Sequence, residues 1–340
     1  MLNERLLGPI KAYVNSHQFR CGMDLNPGKI EVRFLAQGEY NLNYLLETTG
    51  GKYVLRVNTA SQMKLENQIA YEYQVLQLLN KSGVTPRPFY LDDRKQTVPY
   101  GLLVMEYLPG EPLDYRYDLP KAARTFARIH SLEFGAGAAG FLMKQTGPFT
   151  GVYQEAVTLL ESFFNCPDAD VQIKWILERA LLKAEEKKKD EDFLLHEPWL
   201  AVINTEVNSH NFIVNQERLT CHLIDWEKPI YGEPAQDLSM FLIATTTMWK
   251  RNYVLSVKEE EEFLAVYLNC LATTCPYKNT LRDRVQMFKL FNYLRAISWC
   301  AMAWTEYTKP GRPLVNRDTF EKIKAYLEPE FIRTSLLNLI

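Results

Sequence analysis

Alternation of apolar and polar positions is clearest near the start of the chain. IEVRFLAQ (30–37), YNLNYLLET (40–48) and KYVLRVN (52–58) follow one another, with Gly38 after the first and TTGG (48–51) before the third. Successive side chains of a strand face opposite ways, so the pattern predicts consecutive antiparallel strands joined by turns. A helix is expected over about 62–81. VTPRPFYLDD, interrupted by two prolines, then leads into a further strand within TVPYGLLVMEYL (97–108), which stops at PGEP.

Beyond Pro109 the apolar positions recur at helical spacing, in 119–134, 152–164 and 171–184. The change of period sets a boundary near 108, between a smaller lobe (1–108) and a mostly helical one (109–340). Within the helical part, AVIN, NFIVN and LTCHLID (201–225) form an island of strand-like segments. KAEEKKKDED (183–192) is expected to be a solvated helix end or loop, and the EEEE run at 259–262 a helix face near its amino end. The fold class is therefore α+β.

With 340 residues and 47% apolar content the chain has enough material for two cored lobes. Its 39 basic and 41 acidic residues leave a net charge of −2, which excludes a global field holding nucleic acid or an acidic membrane but leaves a local basic pocket open. Six cysteines lack CxxC pairing and five histidines lack ligand spacing, so free thiols in a reducing cytosol are expected and no histidine metal site. MLNERLLGPIKAYVNSHQF reads as an amphipathic helix, without the apolar core of a signal peptide. The apolar stretches 238–249 and 294–304 are too short to span a bilayer. A cytoplasmic protein without nucleic-acid or membrane partners is expected.

Three segments carry candidate chemistry. In FLAQGEYNLNYLL followed by YVLRVN, a glycine between two strands lets backbone approach a phosphate and Arg56 supplies a cation one strand later. Taken alone, Gly38 is better explained by a plain hairpin turn. In the predicted helix, Leu65, Ile69, Leu76 and Leu79 make a stripe, and Glu72 falls between Ile69 and Leu76. A buried carboxylate needs a cationic partner, for which Arg56 is the candidate; the alternative is an acid at the stripe's edge reaching solvent. In NTEVNSHNFIVNQERLTCHLIDWEKP, Glu206 is followed after five positions by Asn211, then by a strand, a polar turn, a strand and Asp225. Phosphoryl transfer needs an acid to orient the acceptor hydroxyl and oxygen ligands to hold Mg²⁺ against the phosphates, and a hairpin can bring Asn211 and Asp225 close.

Taken in order, these segments resemble the aminoglycoside phosphotransferase and choline kinase superfamily, whose bilobal fold is protein-kinase-like, with a small antiparallel-sheet lobe and a larger helical lobe. The family's His-Gly-Asp, four residues and Asn match Asn204, Thr205, Glu206 and Asn211, and its magnesium aspartate matches Asp225. Gly38 and Asn41 resemble the nucleotide loop, Arg56 and Glu72 the phosphate-binding cation and its helix partner. VMEYLPGEPL, containing Glu106, resembles the hinge beside the nucleotide. AARTFARIHSL (122–132) and GEPAQDLSMFL (232–242) are further family-like segments, the second placing Asp237 as a brace for the catalytic loop. NYLRAISWCAMAWTEY places Trp299 and Trp304 on a late helix, where choline kinases hold a quaternary ammonium; core packing is the other reading of these rings.

The resemblance implies an ATP- and Mg²⁺-dependent phosphotransferase acting on a hydroxyl of a small molecule, such as an amino alcohol like choline, an aminoglycoside or a sugar. It departs from the family where His-Gly-Asp becomes Asn-Thr-Glu, and where His210 replaces the glycine before the metal-binding Asn. Glu206 is one methylene longer than aspartate in a site sensitive to placement. A carboxylate is nonetheless retained beside both metal ligands, which favours adjustment over abandonment. A pseudokinase, and a binding module using the cleft for ligand alone, are the competing readings.

Overall fold

The computed structural model describes residues 2–61, 63–135, 137–309 and 317–338. Its contacts divide the chain into two units: Met1–Pro112 with Leu132–Leu142 and Asn211–Pro229, and Leu113–Ser131 with Met143–His210 and Ile230–Ile340. The sequence suggested a single boundary near 108. The hairpin segment instead belongs with the first unit.

In the first unit, strands β1 (Glu31–Gln37), β2 (Asn41–Thr48), β3 (Gly51–Asn58), β4 (Pro88–Asp92) and β5 (Gly101–Glu106) form an antiparallel sheet in the order β1-β2-β3-β5-β4. Alternation turns Leu42, Tyr44, Leu46, Leu55, Val57, Leu102 and Val104 to one side. There they pack with Leu6, Ile10, Tyr13 and Val14 of α1 (Leu2–Val14) and Phe19 of α2 (His17–Gly22). Strand β4 lies in the stretch where two prolines suggested only a lead-in. It is an edge strand with Pro88 as its first residue, a place where a missing N–H interrupts no ladder.

Helix α3 (Gln68–Leu79) is shorter than the 62–81 expected. Lys64 has φ 57°, outside the helical region, and the side chain of Asn67 caps the helix by accepting from Ala70 N; Gln62 lies outside the described residues. Leu65 therefore precedes the helix, while Ile69, Val75, Leu76 and Leu79 are buried by it. Helix α3 lies so close to β5 that a Cβ on Gly101 would come within 2.4 Å of Ile69 Cγ2.

The expected β island divides. Strand β6 (Glu111–Pro112) pairs with β8 (Phe212–Asn215), which pairs with β9 (Thr220–Leu223), all in the first unit; Leu223 N also donates to Val84 O at 2.9 Å. In the second unit β7 (Ala201–Ile203) pairs with β10 (Ile230–Gly232) in a two-stranded sheet. Gly110 is required before β6: its φ is 154°, and a Cβ there would meet Val214 O at 2.5 Å.

The second unit is otherwise helical: α4 (Tyr115–His130), α5 (Pro148–Phe164), α6 (Val171–Lys187), α7 (Glu191–His196), α8 (Pro234–Leu242), α9 (Ala244–Lys250), α10 (Val257–Cys270), α11 (Leu281–Thr308), α12 (Arg317–Tyr326) and α13 (Pro329–Ile332). The long α11 packs on α5, where Phe149 stacks on Phe291 at 4.2 Å between ring centres, and on α8, where Asn292 Nδ2 donates to Gln236 O. A capping box of Ser256 and Glu259 starts α10, so the acidic run opens that helix as its pattern implied. All six cysteines are free thiols. Among the described residues no helix is long and apolar enough to cross a membrane.

Candidate active site

The first unit gathers a charged cluster around one buried guanidinium. Arg56 points from β3 toward α3, and the 1%-exposed Glu72 lies there among Ile69, Val75 and Leu76. Arg56 Nη1 donates to Glu72 Oε1 at 2.5 Å and to Asp225 Oδ1 at 2.9 Å, and its Nε donates to Oδ1 of Asn43, the cross-strand neighbour on β2, at 3.1 Å. Burial opposes the charge on Arg56, but Glu72, Asp225 and Glu227 outweigh it and hold the guanidinium pKa above its ordinary value. Burial also pushes the Glu72 carboxyl up, against the pull of Arg56. The acid that the helical stripe placed inward thus meets the cation that its burial demanded.

Asp225 reaches this cluster through the hairpin. Ile224 N donates to Asn211 O at 2.8 Å, which closes the open end of β8 and β9 and sets Asn211 and Asp225 on its two arms. Asp225 has φ 64°, and the chain turns there into Trp226, a fully buried indole whose Nε1 donates to Leu223 O at 2.9 Å. The Asp225 side chain remains 29% exposed.

One acid not foreseen from the sequence completes the cluster. Glu227 is buried; its Oε2 accepts from Asn41 Nδ2, and its backbone oxygen accepts from Gln68 Nε2 at 2.5 Å. Glu227 stands two positions after Asp225, but nothing in the spacing tells this acid from a surface one. Asn41 also accepts from Asn58 Nδ2, and its backbone oxygen accepts from Gly38 N at 2.8 Å, so the turn from 38 to 41 is tied to Glu227. Gly38 does not use a glycine conformation: a Cβ would meet its nearest atom, Asn41 O, at an ordinary 3.7 Å. Glu106 ends β5 by a reciprocal bond with Arg87, its N donating to Arg87 O and its Oε2 accepting from Arg87 N.

The donor set fits a divalent ion of the magnesium type. One guanidinium charge faces the carboxylates of Glu72, Asp225 and Glu227, and Asp225, Glu227 and the Asn211 amide offer the hard oxygens that such an ion prefers.

The second unit holds the loop that carries Glu206. After β7 the chain turns through Asn204, Thr205 and Glu206. Asp237, wholly buried in α8, accepts from Asn204 N at 2.7 Å and from Thr205 N at 2.9 Å. Asn204 Oδ1 accepts from Glu206 N at 3.0 Å. Behind Asp237, His130 Nε2 stands 3.8 Å from Oδ2, and His130 Nδ1 lies 3.1 Å from the Tyr267 hydroxyl. Burial, then the charges of Lys250 and Arg251, push the His210 pKa down. Trp299, 37% exposed, meets Trp249 edge-on at 6.0 Å, and Trp304 meets Phe163 edge-on at 5.7 Å. Each indole has its own ring partner.

The sequence profile described as the phosphotransferase enzyme family (APH) matches residues 31–269. No curated protein sequence matches the chain. Among solved structures, the chain is similar to an ethanolamine kinase from Plasmodium vivax (TM-score 0.63, 16% identity, 96% of this chain and 89% of that one covered). A choline kinase from Streptococcus pneumoniae gives a TM-score of 0.60 at 17% identity, with 97% and 99% covered. A spectinomycin phosphotransferase solved with ADP and spectinomycin gives 0.61 at 12% identity, with 95% and 96% covered. At these identities the likeness establishes the kinase-like α+β fold.

Proposed function

This chain belongs to the phosphotransferase enzyme family, and from that premise we propose that it moves the terminal phosphoryl group of ATP, with Mg²⁺, onto a hydroxyl of a small molecule. The observation that carries the reading is the buried Arg56, bonded at once to Glu72 and to the partly exposed Asp225. Such a cation, fixed by one acid and adjoining a second, is suited to gripping phosphate charge beside a metal ligand.

In this reading Arg56 binds the nucleotide phosphates while Glu72 fixes its direction. Gly38 and Asn41 place the nucleotide turn over the phosphates, and Glu106 lies in the hinge beside the base. Asn211 and Asp225 hold magnesium, with Glu227 anchoring the turn through Asn41. The ion supplies charge neutralisation on the phosphates. Glu206 orients the acceptor hydroxyl and takes its proton as the new P–O bond forms and the bond from the terminal phosphorus to ADP breaks. Amino alcohols, aminoglycosides and sugars are the acceptor classes to examine first, with Trp299 and Trp304 as the faces for an ammonium group.

The test is ATP consumption with Mg²⁺ across those acceptors, with the phosphorylated product identified by mass. Transfer that disappears in Arg56→Met supports the reading. Mg·ATP binding without transfer to any acceptor would replace it with a pseudokinase, the alternative raised by Glu206 standing for aspartate. Absence of both would leave a binding module.

A further inference from the structure

Thr205 occupies a backbone conformation that its side chain disfavours. Its φ is 66°, in the left-handed region, where a β-branched residue is a genuine outlier because its branched Cβ crowds the backbone. In the resembled motif the corresponding residue is glycine, which adopts this conformation without that crowding. Left alone, a threonine here would relax to negative φ and swing the residue that follows it.

Three hydrogen bonds oppose that relaxation. Asp237 takes the N–H groups of Asn204 and Thr205 on its two oxygens, at 2.7 and 2.9 Å, and Asn204 Oδ1 takes the N–H of Glu206 at 3.0 Å. Asn204 and Asp237 are each 0% exposed and Thr205 is 5% exposed, so water does not readily compete for these groups. The backbone on both sides of the outlier is pinned, by α8 on one side and by the Asn204 side chain on the other.

We infer that Asn204 is a positioning residue: its side chain closes over the strained Thr205, holds that residue in the left-handed turn and so aims the carboxylate of Glu206. This deepens the proposed function and rests on Glu206 acting on the acceptor. The arrangement supplies in side-chain bonds what glycine would supply by conformational freedom, with the longer carboxylate next in line.

The consequence is a coupling between positions 204 and 205. Asn204→Ala removes one pin, so the amides of Asn204 and Thr205 should exchange hydrogen about 10-fold faster, the size of one net hydrogen bond. Thr205→Gly removes the strain, so in the double variant Asn204→Ala/Thr205→Gly most of that protection should return. Turnover should follow the same order. It should fall on the order of 10²-fold in Asn204→Ala at unchanged KM for Mg·ATP and recover in the double variant, whereas a merely structural role would give no recovery from added glycine. Asn204→Ser, whose hydroxyl can accept from the N–H two residues on, should retain part of both signals.

Exchange rates read the device without any activity. Restored protection with no transfer by the parent protein would support the pinning and refute the phosphotransferase reading. If Asn204→Ala leaves the Thr205 amide as protected as before, or if glycine at 205 restores neither protection nor turnover, the inference is overturned.

Discussion

Replacing Glu72 by Gln keeps the shape of α3 and removes the charge that faces Arg56. Both side chains are buried, at 6% and 1% exposure, and breaking a buried pair by removing one partner costs about 3–5 kcal/mol when the survivor has nothing else. Arg56 does have more: Asp225 at 2.9 Å, itself 29% exposed, and Asn43 at 3.1 Å. The loss should therefore fall below that range, at about 2–3 kcal/mol, that of one charge-assisted hydrogen bond together with partial desolvation of the guanidinium. Native-state hydrogen exchange at the β3 amides of Val54–Val57 measures it within the first unit, free of unfolding elsewhere. Arg56→Met/Glu72→Met should cost more than Glu72→Gln, because it also takes away the cation that Asp225 and the buried Glu227 face. A loss under about 1 kcal/mol, or a double variant milder than the single one, would refute the reasoning.

Other outcomes follow from the same geometry. Asp225→Asn should abolish the Mg²⁺-dependent part of the thermal shift given by ATP; an unchanged shift would show that the metal lies elsewhere. Glu206→Ala should lower turnover by orders of magnitude with Mg·ATP affinity nearly intact, and Glu206→Asp should also lose activity, since a loop fitted to the longer stem leaves the shorter one out of reach; a gain in the Asp variant would point to a lapsed kinase. Burial pushes the Glu233 carboxyl from its ordinary 4.5 up to about 7, against the pull of Arg284, whose Nη1 donates to it at 2.7 Å. Between those values the folded chain keeps a proton that the unfolded chain has released, so this contribution to stability is full below the lower value and declines as pH rises toward about 7. Denaturation midpoints across that window should show the decline flattened in Glu233→Gln, and an unchanged slope would assign it to other groups.

The sheet strands were legible because period-two alternation with turn residues has few other meanings, and the Arg56–Glu72 pair was legible because an acid between Ile69 and Leu76 must find a cation. Strand β4 was not, since its prolines mark a break in sequence but are tolerated at a sheet edge. The division of the β island was equally hidden: AVIN, NFIVN and LTCHLID look alike in composition, and only pairing assigns β7 to β10 and β8 to β6. Glu227 escaped notice because its role depends on Asn41, 186 positions away, and no local pattern records a contact at that distance. Thr205 was seen as a departure from glycine, but its left-handed φ and the bonds that maintain it are properties of the folded loop.

The first unit is drawn from three separated stretches of chain, and this fixes an order of events as the protein is made. When residue 112 leaves the ribosome, all five strands of the main sheet exist and Arg56 can already meet Glu72. Strand β6 has no partner then, and Val84 O must wait for Leu223. The bond from Arg56 to Asp225 spans 169 positions, so the charged cluster around Arg56 is the last part of its own unit to be completed, after much of the helical unit has been synthesised. A nascent chain that stalls before Asp225 therefore carries the sheet strands and the Arg56–Glu72 pair but neither Asp225 nor Glu227, and the completion of the charged cluster is tied to late translation.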